Sequence, residues 1–113
     1  MKKIQIKQYR KKYNLQLFVT SYCHNGNMAI IAYSNDEPYV DLTVNFDETL
    51  PVQEAYVNVN GMPNIVQIIE EFATAKGITK RSGYVEYPLY RFDLSKMKEY
   101  ILPDSDYPFI EVD

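Results

Sequence analysis

Cys23 and His24 are the one thiol and the one imidazole of the chain, and they are neighbours. A zinc site needs three or four protein ligands of suitable type, and no second Cys or His is present to complete one. A cysteine nucleophile needs a base close to it in space, whereas neighbours along a strand point to opposite faces. A serine triad would have to borrow the same His24, and no Gly-x-Ser-x-Gly elbow occurs. Cys23 therefore reads as a structural residue and His24 as part of a turn.

Three acidic pairs stand at Asp36-Glu37, Asp47-Glu48 and Glu70-Glu71. Acid–base work needs two carboxylates facing one pocket with divergent pKa values. These pairs fall in turns or on the polar side of a helical stretch, where solvation accounts for them. Asp36, Asp47 and Glu48 match no calcium-loop spacing. Gly26, Gly61, Gly77 and Gly83 are isolated from one another, so no glycine-rich phosphate loop exists. The expectation is a protein that is not an enzyme and uses neither cofactor nor metal.

Two stretches could instead hold a partner. Lys7, Tyr9, Arg10, Lys11, Lys12 and Tyr13 interleave cations with aromatic rings, the pattern of a weak, salt-sensitive single-strand nucleic-acid surface. Six of the twelve basic residues lie in the first twelve positions, leaving six against fifteen acids, or −9, for the remainder. That acidic remainder also admits a nucleic-acid mimic, and the plainer account is two charged ends that attract each other or are solvated. The second stretch holds Tyr84, Tyr87, Tyr90 and Phe92. Tyr84, Tyr90 and Phe92 share one parity and Tyr87 with Leu89 the other. On an edge strand one set would form a partly exposed aromatic strip suited to gripping a protein, although sheet packing explains them as well.

The elements that must position these residues follow from hydrophobic period. Ile4–Tyr9 and Leu15–Tyr22 alternate as strands, and Asn25-Gly26 signals a type I′ hairpin into Met28–Tyr33. Met28–Tyr33 is apolar on both faces, as a central strand would be. Val40, Leu42, Val44 and Phe46 alternate with polar residues as one half-buried strand, and Ala55–Val59 reads as another. The period then changes: Ile65, Ile68, Ile69 and Phe72 form a helical stripe. Pro63 suits the first turn, and Lys76-Gly77 suits a C-terminal stop, predicting a helix over 63–76. Tyr84–Phe92 reads as a last strand, an edge or bulged one because of Pro88. Leu94–Tyr100 suits a short helix capped by Asp93 or Ser95, with Met97 packing down.

The run Gly26-Asn27-Met28-Ala29-Ile30, then Glu37-Pro38-Tyr39-Val40-Asp41-Leu42-Thr43-Val44-Asn45, then Ser82-Gly83-Tyr84-Val85-Glu86-Tyr87-Pro88 after a helix, resembles the DUF4313 family. The resemblance spans about residues 13–92, leaving the basic start and acidic end as additions or variable ends. These are small bacterial proteins of conjugative elements and phage-like islands with no assigned activity, so the resemblance supplies no site residues. It implies a cytosolic protein of a mobile genetic element.

Taken together, the sequence predicts a single α+β domain over 1–113. Its core spans about 4–102, and an acidic tail, 103–113, hugs the surface or frays. Two layers are expected: an antiparallel sheet of about five or six strands with one main helix packed on one face. A lone cysteine, no signal-like apolar start and no run of roughly 20 apolar residues favour a cytoplasmic protein without membrane contact. The expected role is a non-catalytic protein-binding module. Nucleic-acid binding through 2–13 is the alternative, and an enzyme of unfamiliar type stands third.

Overall fold

The structure, a computed structural model, describes residues 2–110. Strands β1 (Ile4–Gln8), β2 (Lys11–Ser21), β3 (Met28–Ser34) and β4 (Glu37–Asp41) form one antiparallel meander in that order. Strands β5 (Thr43–Val44), β6 (Glu54–Val57), β7 (Ala73–Ser82) and β8 (Val85–Phe92) form a second sheet in the order β5-β6-β8-β7. One apolar core lies between them. Leu15, Leu17, Val19, Ile30 and Ala32 face it from the first sheet, and Ala55, Val57, Tyr90 and Phe92 from the second. The expected α+β fold, one sheet under one main helix, is thereby corrected to a mostly β fold of two four-stranded sheets.

The helix over 63–76 is where that expectation fails. The stripe is real but short: α1 spans Ile65–Ile69, with Ile65 and Ile69 buried. From Ala73 the chain is extended and pairs with β8. Thr74, Ile78 and Thr79 are β-branched and suit a strand better than a helix. Lys76, Gly77 and Ile78 bulge where the register jumps between Ala75 and Thr79, with Gly77 at φ +75°. A helix stop and a bulge both call for glycine at positive φ, so the same residue signals either.

The second departure is at Leu42. The alternation from Val40 to Phe46 is one period but two strands, because the chain changes sheets there. The Leu42 N–H donates to the Ile30 carbonyl of β3 (2.9 Å), and its carbonyl accepts from Asn58 N–H just past β6 (2.9 Å). Thr43 Oγ1 accepts from Ile30 N–H (3.1 Å) and shares a hydrogen bond with Tyr22 OH (2.8 Å). Leu42 and Thr43 are accordingly both buried.

Turn chemistry sets the meander. Both β1–β2 and β3–β4 close through two left-handed residues, Tyr9-Arg10 and Asn35-Asp36, the type I′ arrangement. Between β2 and β3 the expected hairpin is present, but its turn is longer than I′. Tyr22 N–H donates to Asn27 O and Gly26 N–H to Tyr22 O, and of the Asn25-Gly26 pair only Gly26 is left-handed. β3 is central, as its two apolar faces require. β8 lies between β6 and β7 only over Leu89–Arg91. At Pro88 the β6 ladder has ended and β7 bulges between Ala75 and Thr79, so the proline stands where β8 has one open side, next to a bulge.

The C-terminal segment belongs to the body of the fold as far as Ile110. α2 (Leu94–Met97) is capped by Asp93, whose carboxylate accepts from Ser95 and Lys96 N–H, and it buries Met97. A 3-10 turn follows, and Ile101 pairs in parallel with Leu17, beside β2 where β1 has already ended. Asp106 and Tyr107 N–H both reach Val19 O (3.1 Å each). Tyr107 is buried, and its hydroxyl accepts from Gln53 N–H (3.0 Å). Glu111 and Asp113 of the expected acidic tail lie outside the described residues. Tyr107→Ala is expected to lower stability by about 3–5 kcal/mol through the cavity it leaves. Tyr107→Phe, which orphans only Gln53 N–H, should cost about 1–2 kcal/mol. Urea denaturation of the two variants separates packing from hydrogen bonding.

Candidate functional site

The set expected to form one strip, Tyr84, Tyr90 and Phe92, is divided by the fold, and Tyr87 lies on the other face as its parity requires. Tyr90 and Phe92 point into the core, and Tyr90 OH donates to Glu70 Oε1 (3.0 Å). Tyr87 is half-buried with its ring 5.9 Å from that of Phe46. Tyr84 stands alone, 98% exposed, in the two-residue turn Gly83-Tyr84. Gly83 at φ +62° supplies the left-handed first position that such a turn needs. Because β6 ends opposite Leu89, β7 and β8 continue beyond Pro88 as a two-stranded arm with Tyr84 at its tip. The outer rim of β7 is a sheet edge. It carries Lys76, Lys80, Arg81 and the half-exposed Ile78.

The basic stretch becomes the β1–β2 hairpin. Tyr9 is 83% exposed at its turn, beside Arg10. Lys7 and Lys12 are direct cross-strand partners, and Lys11 faces Gln8. Among the described residues, none of Lys7, Arg10, Lys11 and Lys12 forms an ion pair. Tyr13 is drawn away from this group, stacked on Tyr39 at 4.6 Å and packed against the core. Among the described residues the attraction of the two charged ends is seen between Lys2 and Glu99 (2.9 Å).

The imidazole meets one carboxylate at the opposite end of β2. His24 Nε2 lies 3.5 Å from Asp47 Oδ1, with both side chains largely in solvent, and Cys23 is exposed. Asparagine amides hold this loop against the loop after β5. Asn25 Nδ2 donates to Phe46 O (2.8 Å) and Asn27 Nδ2 to Glu48 O (2.8 Å), while Asn27 Oδ1 accepts from Leu50 N–H (2.8 Å). The loop then folds over the outer face of the second sheet. Phe46 packs edge-on to Tyr56 at 5.2 Å, and Lys80 Nζ sits 5.0 Å over the Phe46 ring. Glu48 Oε1 accepts from Tyr56 OH (2.8 Å) and from Lys80 Nζ (3.3 Å).

Those contacts set the electrostatics. Burial first, then the hydrogen bond to Glu48 and its charge, push Tyr56 from 10.0 up to about 12. Hydrogen bonds from Tyr56 and Lys80 hold the Glu48 carboxyl below its ordinary value. Sequence reading missed this clamp, because Asn27, Glu48, Tyr56 and Lys80 are scattered along the chain and show no spacing. It also missed Gln53, left-handed at φ +67°, which lines two clefts of about 330 and 310 Å³. The larger runs between α2 and the C-terminal segment, with Leu94, Lys98 and Phe109 in its walls. Among the described residues no group of three or more His, Cys, Asp and Glu side chains is arranged to hold a metal ion, and no helix is long and apolar enough to cross a membrane.

The model of the family described as "Domain of unknown function (DUF4313)" matches residues 5–108. The chain belongs to DUF4313. The match is wider than the 13–92 of the sequence resemblance and takes in most of both ends that lie outside it. The fold explains why: β1 completes the first sheet and Tyr107 completes the core of this DUF4313 domain. No curated protein and no solved structure matches the chain.

The clamp has a pH signature at each extreme. Tyr56 has a raised pKa in the folded state. Its contribution is therefore complete below about pH 10 and is lost as pH climbs through 12. Glu48, with a lowered pKa, contributes above the ordinary carboxyl range and loses that contribution as pH falls through its folded value. Tyrosinate absorbance should show one tyrosine titrating near 12, coupled to alkaline unfolding. In Glu48→Gln that transition should move down yet stay above 10, because burial is the larger cause.

Proposed function

We propose that this DUF4313 domain is a non-catalytic module that docks on another protein through the β7–β8 arm. The observation that carries this reading is Tyr84, a large aromatic ring left 98% exposed at the tip of a hairpin that outruns its own sheet. Tyrosine is enriched among the residues that anchor protein interfaces, because one rigid side chain supplies both apolar area and a hydrogen-bonding hydroxyl. The edge of β7 adds backbone groups able to receive a strand from the partner. The charged residues of β7, Lys76, Lys80 and Arg81, and the bulge at Gly77 discourage pairing with another copy of the chain. The mobile-element setting implied by the resemblance makes a host or element protein the target, in an anti-defence or regulatory role.

Affinity capture from bacterial lysate, with and without nuclease, tests the reading when wild type and Tyr84→Ser are run side by side. Expected is a protein retained by wild type in both arms and lost or weakened at least about tenfold in Tyr84→Ser, as for an interface anchor. The melting temperature should stay unchanged, since Tyr84 packs on nothing. Retention that is indifferent to Tyr84 would move the docking surface elsewhere, and no retained protein would end the proposal.

A further inference from the structure

The two type I′ turns of the first sheet use opposite kinds of residue. Asn35-Asp36 between β3 and β4 is a pair that tolerates left-handed backbone through short polar side chains. Tyr9-Arg10 between β1 and β2 adopts the same conformation, φ 51° and 65°, with two long side chains that gain nothing from it. One step inward, Lys7 and Lys12 are placed directly opposite each other, a like-charge pair that weakens a hairpin. No carboxylate among the described residues pairs with either. Three unfavourable choices therefore coincide at one hairpin end. Such local conflicts mark sites where stability has been given up for a task.

The register shows what lies beyond the tip. Lys7 and Lys12 project from the face of the first sheet that is turned away from the core, since Ile4, Ile6 and Leu15 occupy the inward positions. Alternate positions along β2 continue that outer face from Lys12 to Phe18. There Phe18 and Tyr33 stand outside the core with their rings 6.0 Å apart, both half-buried. Asp41, opposite Ile31 on β4, borders this face on the side away from the cations. A cationic tip bearing an exposed tyrosine, leading onto a sheet face with an aromatic pair, combines phosphate contacts with stacking surfaces.

We infer that the outer face of the first sheet binds single-stranded nucleic acid. Lys7, Arg10 and Lys12 hold phosphates, Tyr9 takes a base at the hairpin tip, and Phe18 with Tyr33 takes bases further along. An acidic polypeptide would satisfy the cations and leave the rings without a role, so the observations favour the nucleic acid. This site stands apart from the β7–β8 arm, which is steadied by the loops at the other end of β2, and the two can fail separately.

Fluorescence anisotropy with labelled oligothymidylate and oligouridylate of about 15 nucleotides tests the assignment, with a duplex and polyglutamate as competitors. Wild type should bind the single strands, with the duplex and polyglutamate competing at least about tenfold less well. Lys7→Gln with Lys12→Gln should reduce the slope of log affinity against log salt by about 1.4, two phosphate contacts' worth. Phe18→Leu, which keeps apolar bulk without an aromatic face, should weaken binding about tenfold. Tyr9→Asn with Arg10→Gly should raise the melting temperature and weaken binding by a similar factor. A wild-type protein that binds no single strand overturns the inference, as does equal competition by polyglutamate. A tip variant that melts higher and binds unchanged overturns it too.

Discussion

The two sheets of this domain are tied at one residue. Leu42 gives its N–H to Ile30 in the first sheet and its carbonyl to the Asn58 N–H beside the second. Thr43, the next residue, spends its hydroxyl on Ile30 N–H and Tyr22 OH. Both residues are buried, where an unmet polar group is costly, so every one of these bonds has to be made for the chain to cross. The crossing fixes the relative placement of the sheets, and everything else is arranged around it. The core fills the space between the inner faces, α1 and α2 plug it, and the loop after β5 is delivered onto the outer face of the second sheet.

That delivery explains the polar cluster at the far end of β2. A loop laid over Tyr56 and Tyr87 would strand its carbonyls, and the amides of Asn25 and Asn27 meet those of Phe46 and Glu48. Side-chain amides suit this work because each offers donors and an acceptor at once, as Asn27 does toward Glu48 O and Leu50 N–H. The carboxylate of Glu48 is then aimed at Tyr56 and Lys80. The residues of greatest chemical promise in the sequence, Cys23, His24 and Asp47, sit on the solvent side of the same clamp.

What the sequence made legible was whatever is decided by local period and turn chemistry. Leu15, Leu17 and Val19 alternate into the core as their spacing requires, β3 is central, and Asp93 caps a short helix above Met97. The readings that failed depend on contacts between distant residues. Val40 to Phe46 keeps a strand's period across a change of sheet, and period alone carries no record of which sheet is faced. Gly77 declares positive φ without saying whether a helix stops or a strand bulges there. The split of Tyr84 from Tyr90 and Phe92 follows from the turn at Gly83-Tyr84, which is set by the pairing of β7 with β8 and invisible in β8 itself. The basic hairpin was legible in composition, but the pairing of Lys7 with Lys12 and the left-handed Tyr9-Arg10 turn needed a register.

The closing of β2 by the end of the chain has a consequence for biosynthesis. β1 covers the β2 edge only as far as Leu15. Leu17 and Val19 offer their backbone groups to residues 101–107, more than eighty positions later. During translation the meander can form as soon as it clears the ribosome. It must then wait for the remaining chain, roughly four to fifteen seconds at ordinary elongation rates. Throughout that interval part of a central strand is an open edge beside apolar side chains, the kind of surface that recruits other nascent chains. The nascent domain is thus most vulnerable to aggregation just before its last segment docks, and a chaperone that shields β2 over Leu17–Val19 would act on that state.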